Sequence, residues 1–138
     1  MTKPFVKKGT PSELHKKLDV LRNQDSENGW VEIKDPVAID LIMSTFAVHL
    51  NRKMIKVTID VPRTIMDILR FSGVQQSTGY RKILDLIKNQ ILVPYDTVQR
   101  HGGKRVTRYI SAIKSLQMEI NDFNEATVKA KLSSRTFF

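Results

Sequence analysis

The segment from Pro62 to Ile110 restricts the possible folds more than any other part of this chain. Ile65, Ile68 and Leu69 recur at helical spacing from Pro62, and the pattern halts at Ser72-Gly73, where glycine can adopt the positive φ that closes a helix. A second helical pattern runs from Ser77 to about Asn89, with Ile83, Leu86 and Ile87 inward and Arg81, Lys82, Asp85 and Lys88 outward. Only Gly73-Val74-Gln75-Gln76 separates the two, so the chain has to reverse in a tight turn. Ile91 to Val98 and Lys104 to Ile110 then read as a strand and its return, with His101-Gly102-Gly103 as the turn between them.

The flanks are less constrained. Residues 1–11 read as a basic arm ending in Gly9-Thr10-Pro11, and Ser12 can cap a helix lined by Leu14, Leu18 and Leu21 that runs to about Asn23. A polar loop to Gly29 leads into Trp30 to Lys34, which alternates as a short strand. Asp35-Pro36 supplies a capping carboxylate and a proline at the first helical position, opening a helix with Val37, Ile39, Leu41, Ile42, Met43 and Phe46. Lys53 to Asp60 is rich in β-branched residues and is expected as a strand. After residue 112, Leu116 to Ile120 and Thr127 to Leu132 alternate around Asn121 to Asn124. A second hairpin is the preferred reading, and a continuous helix from Ser115 is the alternative, because Leu116, Ile120 and Phe123 also suit a helical stripe.

Composition removes several classes of function. A chain of 138 residues with 41% hydrophobic content is the size of one domain with its own core. Apolar runs are only a few residues long and the N-terminus lacks the apolar block of a secretory signal, so a soluble, cytoplasmic protein with no membrane partner is expected. The absence of cysteine excludes disulfides, thiol catalysis and thiolate metal sites. His15, His49 and His101 have no partner at a metal-motif spacing, so no metal is expected. No nucleophile motif, P-loop or dinucleotide fingerprint occurs, and the carboxylates are not closely paired in apolar surroundings, which speaks against an enzyme and against a cofactor.

The net charge of +9 points instead to a polyanionic partner. Between Pro62 and Met118, ten Lys and Arg stand against three Asp, so seven of the nine excess charges lie in that half. From Thr97 to Met118 there is no Asp or Glu, while Arg100, Lys104, Arg105, Arg108 and Lys114 all fall there. The second helix adds an anion-binding end: Ser77 or Thr78 can cap it, and its first amides and dipole can face phosphate.

GVQQSTGYRKILDLIKNQILV, continued by VQRHGGKRVTRYIS, resembles the turn, recognition helix and wing of archaeal winged helix-turn-helix regulators of the broad ArsR/MarR-like kind. The likeness covers roughly residues 35–112 and rests on Ser77-Thr78-Gly79-Tyr80-Arg81 after the turn. Two positions depart from it: Gly79 stands where Val is common, and Gln90 stands where Gly usually ends the recognition helix, which suggests a different turn into Ile91. The resemblance implies a winged helix-turn-helix, and with the N-terminal helix and C-terminal β-hairpin read from the residue patterns outside it the expected fold is α+β. It divides the chain into an N-terminal arm and helix (1–34), the winged domain (35–112) and a C-terminal extension (113–138).

The implied function is sequence-specific binding of double-stranded DNA by a transcriptional regulator associated with the nucleoid. Its recognition helix (77–89) would enter the major groove and its wing (99–105) would meet the backbone or minor groove. Gln76 and Arg81 are the candidates for base edges. Thr78, Tyr80 and Lys82 are candidates for phosphates, with Gln75 and Ser77 beside them and Arg100, Lys104, Arg105 and Arg108 on the wing. Blander roles stand alongside: capping for Ser77 and Thr78, packing for Tyr80, and an ion pair with Asp85 for Arg81. A homodimer is expected because one helix reads few base pairs, with Leu14, Leu18, Leu21, Met118, Ile120 and Val128 as interface candidates. The sequence names no small-molecule effector. The alternative is a winged-helix interaction module within a larger transcription or replication assembly.

Overall fold

The computed structural model describes residues 29–133. The basic arm, the Ser12 to Asn23 helix and most of the loop after it lie outside them. The described chain runs β1 (Trp30–Ile33), α1 (Pro36–Ala47), α2 (His49–Lys56), α3 (Ile65–Ser72), α4 (Gln76–Lys88), β2 (Leu92–Gln99), a single 3-10 turn (His101–Gly103), β3 (Arg105–Ser111), β4 (Ile113–Ile120) and β5 (Ala126–Leu132). It is an α+β arrangement with two antiparallel sheets: three strands in the order β1-β5-β4, and the β2–β3 hairpin.

Register explains how the larger sheet meets the helices. Val31 and Ile33 pair with Ala130 and Val128, and Leu116 and Met118 pair with the same two residues from the other side. Directly opposed residues share a face, so one side of this sheet is apolar. Ile33, Val128 and Ala130 join Ile42 of α1, Met54 of α2, Ile68 and Leu69 of α3, and Ile83 and Leu86 of α4 in a single buried cluster. The expected C-terminal hairpin is therefore formed, and β1, the short strand expected from Trp30, joins it as a third strand in a pairing that the sequence did not announce.

Asp35 opens α1 as expected, its carboxylate accepting from the Ala38 N–H at 2.9 Å. The expected strand over Lys53 to Asp60 is replaced by α2 and a turn. Val48, extended at φ −87 and ψ 118, separates α1 from α2. Side chains of α2 then satisfy the carbonyls at the end of α1: Asn51 donates to Thr45 O at 2.9 Å and Arg52 to Phe46 O at 2.6 Å. Met54 and Ile55 are buried together, and Lys53 and Lys56 complement the dipole in the last turn. Packing here outweighs the local β preference of Ile55, Val57 and Ile59.

α3 starts later than Pro62 suggests. Arg63 is extended and exchanges both backbone hydrogen bonds with Tyr109 of β3, at 3.0 and 2.8 Å. Thr64 then caps α3, accepting from the Asp67 N–H at 3.2 Å. The same bridge accommodates Pro94 in β2. Pro94 faces Tyr109, whose N–H and C=O are already committed to Arg63, so the missing proline N–H leaves no acceptor on Tyr109 unmet.

Candidate nucleic-acid interface

Gly73 ends α3 at φ 73 and ψ 15, with its N–H donating to Leu69 O at 3.1 Å. Val74 is buried, and α4 begins at Gln76 with Gln75 in the cap position. Neither Ser77 nor Thr78 is the cap: both lie inside the first turn, and Gln75 contributes no side-chain hydrogen bond. Among the described residues, no side chain accepts from the N–H groups of that turn. The expected capping is absent, and the amides it would have engaged are left facing outward at the positive end of the dipole.

Two residues that depart from the resembled pattern fix how α4 sits. Gly79 is buried, and a Cβ there would fall 2.4 Å from Leu69 Cδ2 and 2.9 Å from Val74 Cγ1. α4 therefore approaches α3 and the turn at a distance that only glycine permits without repacking. At the other end Gln90 takes φ 59. Its N–H donates to Ile87 O at 3.0 Å and that of Ile91 to Leu86 O at 2.9 Å. This is the Schellman closure normally given to glycine. The turn is thus the ordinary one, with a glutamine held in left-handed backbone and its buried Oε1 without a hydrogen-bond partner among the described residues.

Seated in this way, α4 turns Ser77, Arg81, Leu84 and Lys88 to solvent at i, i+4, i+7 and i+11 spacing. Gln75, Gln76 and Tyr80 are also exposed, Tyr80 at 46%, while Thr78 is half-buried. Among the described residues Arg81 makes no ion pair, so the possible pair with Asp85 is not formed. Lys82 stands apart from this group. It is half-buried and lines a cleft of about 210 Å³ with Leu41, Ser44, Thr45 and Asn51, on the side of α1 and α2. Lys88, read from the sequence as outward, and Leu84 were not among the candidate binding residues, although adding seven to the numbers of Arg81 and Ser77 reaches them.

The hairpin uses its charges differently. The Arg100 guanidinium donates to Thr64 Oγ1 at 3.2 Å and lies 3.5 Å from Asp67 Oδ2, joining the base of the β2–β3 turn to the first turn of α3. Arg105 donates to Thr97 Oγ1 at 2.7 Å. Arg108 forms a two-pronged contact with Asp96, its Nε donating at 2.7 Å, and the two residues face each other in the ladder. Hydrogen bonding from Arg108 holds the Asp96 carboxyl below its usual range, against a smaller opposing effect of burial, and Asp96 in turn raises Arg108. A bulge at Tyr95, between Pro94 and Asp96, sets this register. Lys104 is exposed at the tip beside Gly102 and Gly103, both at positive φ, and has no ion-pair partner among the described residues.

α3 links the two groups. Arg100 is tied to its N-terminus and the bare end of α4 follows its C-terminus, so its eight residues separate them by about 12 Å. Among the described residues no three His, Cys, Asp or Glu side chains converge, and no helix is long and apolar enough to cross a membrane. Comparison with protein-family models, with curated proteins and with solved structures returned no match.

Proposed function

We propose that this chain is a winged helix-turn-helix protein that binds double-stranded DNA sequence-specifically and regulates transcription as a homodimer. α3, the glycine turn and α4 form the helix-turn-helix, and β2–β3 forms the wing. The observation that carries this reading is the outer face of α4, where Arg81 is exposed and unpaired among the described residues, next to a first turn whose amides have no side-chain acceptor. A B-DNA major groove admits one helix, a guanidinium there can bind guanine in a two-pronged contact, and bare helix N-termini favour phosphate. Gln76 and Ser77 extend the same end, and Lys104 supplies a cation at the glycine tip of the wing.

Binding of labelled duplexes, followed by fluorescence anisotropy at several salt concentrations, tests the reading. Arg81→Ala should flatten the difference between preferred and arbitrary sequences by about 1–3 kcal/mol. Lys104→Ala should weaken all duplexes alike and reduce the salt slope by about 0.9, the value for one phosphate contact. Arg108→Ala should leave that slope unchanged. Equal binding of every duplex by the unmodified chain and by Arg81→Ala would rule out base reading from α4.

A further inference from the structure

β4 is an outer strand of the three-stranded sheet, and among the described residues no strand pairs with its free edge. One face of its distal half is apolar where it leaves the helices behind. Leu116, Met118 and Ile120 oppose Ala130, Val128 and Ala126, so they continue the buried face of the sheet, yet Met118 is 44% and Ile120 60% exposed. Beyond them Phe123 is 82% exposed at the tip of the β4–β5 turn. Asn121 organises this tip, its Oδ1 accepting from the N–H groups of Phe123 and Glu125 at 2.9 and 3.0 Å. An open edge with an apolar stripe and a presented aromatic side chain is a template for pairing.

The other end of the same strand carries a matching hollow. A cavity of about 190 Å³ lies between the start of β4 and the helices, with Phe46, Ile55, Ile59 and Leu116 among its walls. An apolar cavity of about 150 Å³ is enough to take a benzene ring. Arg52, Lys56 and Lys114 also line it, all three exposed, with Lys114 3.6 Å from Asp60. The tip that bears Phe123 is acidic, because Glu119, Asp122 and Glu125 lie there with no Lys or Arg from Glu119 to Glu125. Each chain thus carries an acidic aromatic knob past one end of β4 and a basic-rimmed apolar socket at the other.

We propose that two copies of this chain pair through β4, antiparallel about a two-fold axis at Met118, each placing Phe123 in the cavity of the other. A two-fold antiparallel pair keeps the apolar faces of both sheets on one side only if the axis passes at a residue. Centring at Met118 sets Leu116 against Ile120 of the second copy and Gln117 against its Glu119. Ile120 then lies against Leu116 of the second copy, and the β4–β5 turn that carries Phe123 lies beyond it, next to the start of the second copy's β4, which walls the cavity. Centring at Gln117 would oppose Leu116 to Met118 but set Ile120 against Lys114, leaving one apolar residue of the stripe against a cation. This interface specifies the dimer named above but does not depend on α4 binding DNA. Val128, an interface candidate from the sequence, is fully buried and belongs to the core, and Leu14, Leu18 and Leu21 lie outside the described residues.

The experiment needs no DNA. Light scattering of the full chain should give twice 15.9 kDa over the micromolar range. Because the chain has no cysteine, Met118→Cys introduces a single thiol, and opposed residues in antiparallel strands are spaced about 4.5–5.5 Å, within disulfide reach. Mild oxidation should cross-link Met118→Cys with itself, whereas Val37→Cys, at an exposed position of α1, should not cross-link. Phe123→Ser alters a side chain that holds nothing in the monomer, so it should fold normally and self-associate roughly tenfold more weakly or worse. A monomer at every concentration overturns the proposal. So does a dimer that Phe123→Ser leaves unchanged and Met118→Cys fails to cross-link. DNA binding by a monomer would sink this interface while sparing the function proposed for α4.

Discussion

α4 and the β2–β3 hairpin both carry a dense share of the positive charge of the chain, and they dispose of it in opposite ways. On α4, Arg81 and Lys88 project from a helix seated by close packing, and among the described residues neither meets a carboxylate. On the hairpin, Arg100, Arg105 and Arg108 are engaged by Thr64 and Asp67, by Thr97, and by Asp96. Formal charge is therefore not available charge. An arginine already making two hydrogen bonds to a carboxylate gives up that pair before serving a phosphate. The helix presents its cations, and the hairpin spends most of its arginines on holding its own shape.

The contrast depends on α4 staying where Gly79 puts it, and Gly79→Val is the strongest way to break it. The added atoms would enter space held by Leu69 and Val74, which are 5% and 7% exposed, so relief requires repacking of buried side chains. The expected result is a loss of about 1–3 kcal/mol in urea unfolding, the usual cost of overpacking, despite the gain in helix propensity on removing glycine. DNA affinity measured where the variant is still folded should fall as well, because the outward stripe rotates with the helix. An unchanged unfolding midpoint would mean that Leu69 swings aside freely and that the close approach is incidental.

The other end of α4 offers a change of opposite sign. Gln90 occupies left-handed backbone that costs a non-glycine residue about 1–2 kcal/mol, and it buries an unsatisfied Oε1. Gln90→Gly relieves both, and the greater freedom of glycine in the unfolded chain returns about 0.4–1 kcal/mol. A net stabilisation of about 0.5–1 kcal/mol is expected, with no change in DNA affinity if the helix keeps its pose. Destabilisation would instead mean that the glutamine side chain supports the Schellman turn.

The success of the sequence reading followed the locality of each signal. Asp35-Pro36, the Gly73 turn and the paired strands around Gly102-Gly103 are announced by adjacent residues, and all three form. The segment from Lys53 to Asp60 failed because α2 is secured by contacts outside it, chiefly Asn51 and Arg52 closing the end of α1. The pairing of β1 with β5 joins residues about a hundred positions apart and leaves no local trace. In the candidate site, the exposed helix face was legible from its period, which also reaches Lys88. The state of Arg108 was hidden for a narrower reason. The stretch free of carboxylates begins at Thr97, and the bulge at Tyr95 brings Asp96, one residue earlier, directly across from Arg108.

The smallest effect is also the most direct test of the difference between α4 and the hairpin. Arg108 holds the Asp96 carboxyl below its usual range, so protonating it is harder in the folded chain than in the unfolded one. The pair therefore contributes its full stability above the ordinary aspartate range and loses it as the pH falls through the lowered value. With side-chain exposures of 32% for Arg108 and 37% for Asp96, solvent and salt screen the interaction, so the contribution is small. Urea midpoints of the unmodified chain and of Asp96→Asn should differ slightly at neutral pH, less so in high salt, and should converge once Asp96 is protonated in both states. A difference that persists in strong acid would belong to packing rather than to charge. No difference at neutral pH would mean that Arg108 is as free to leave Asp96 as Arg81 is to meet a ligand, and the distinction between a presenting helix and a self-engaged hairpin would fail at its clearest residue.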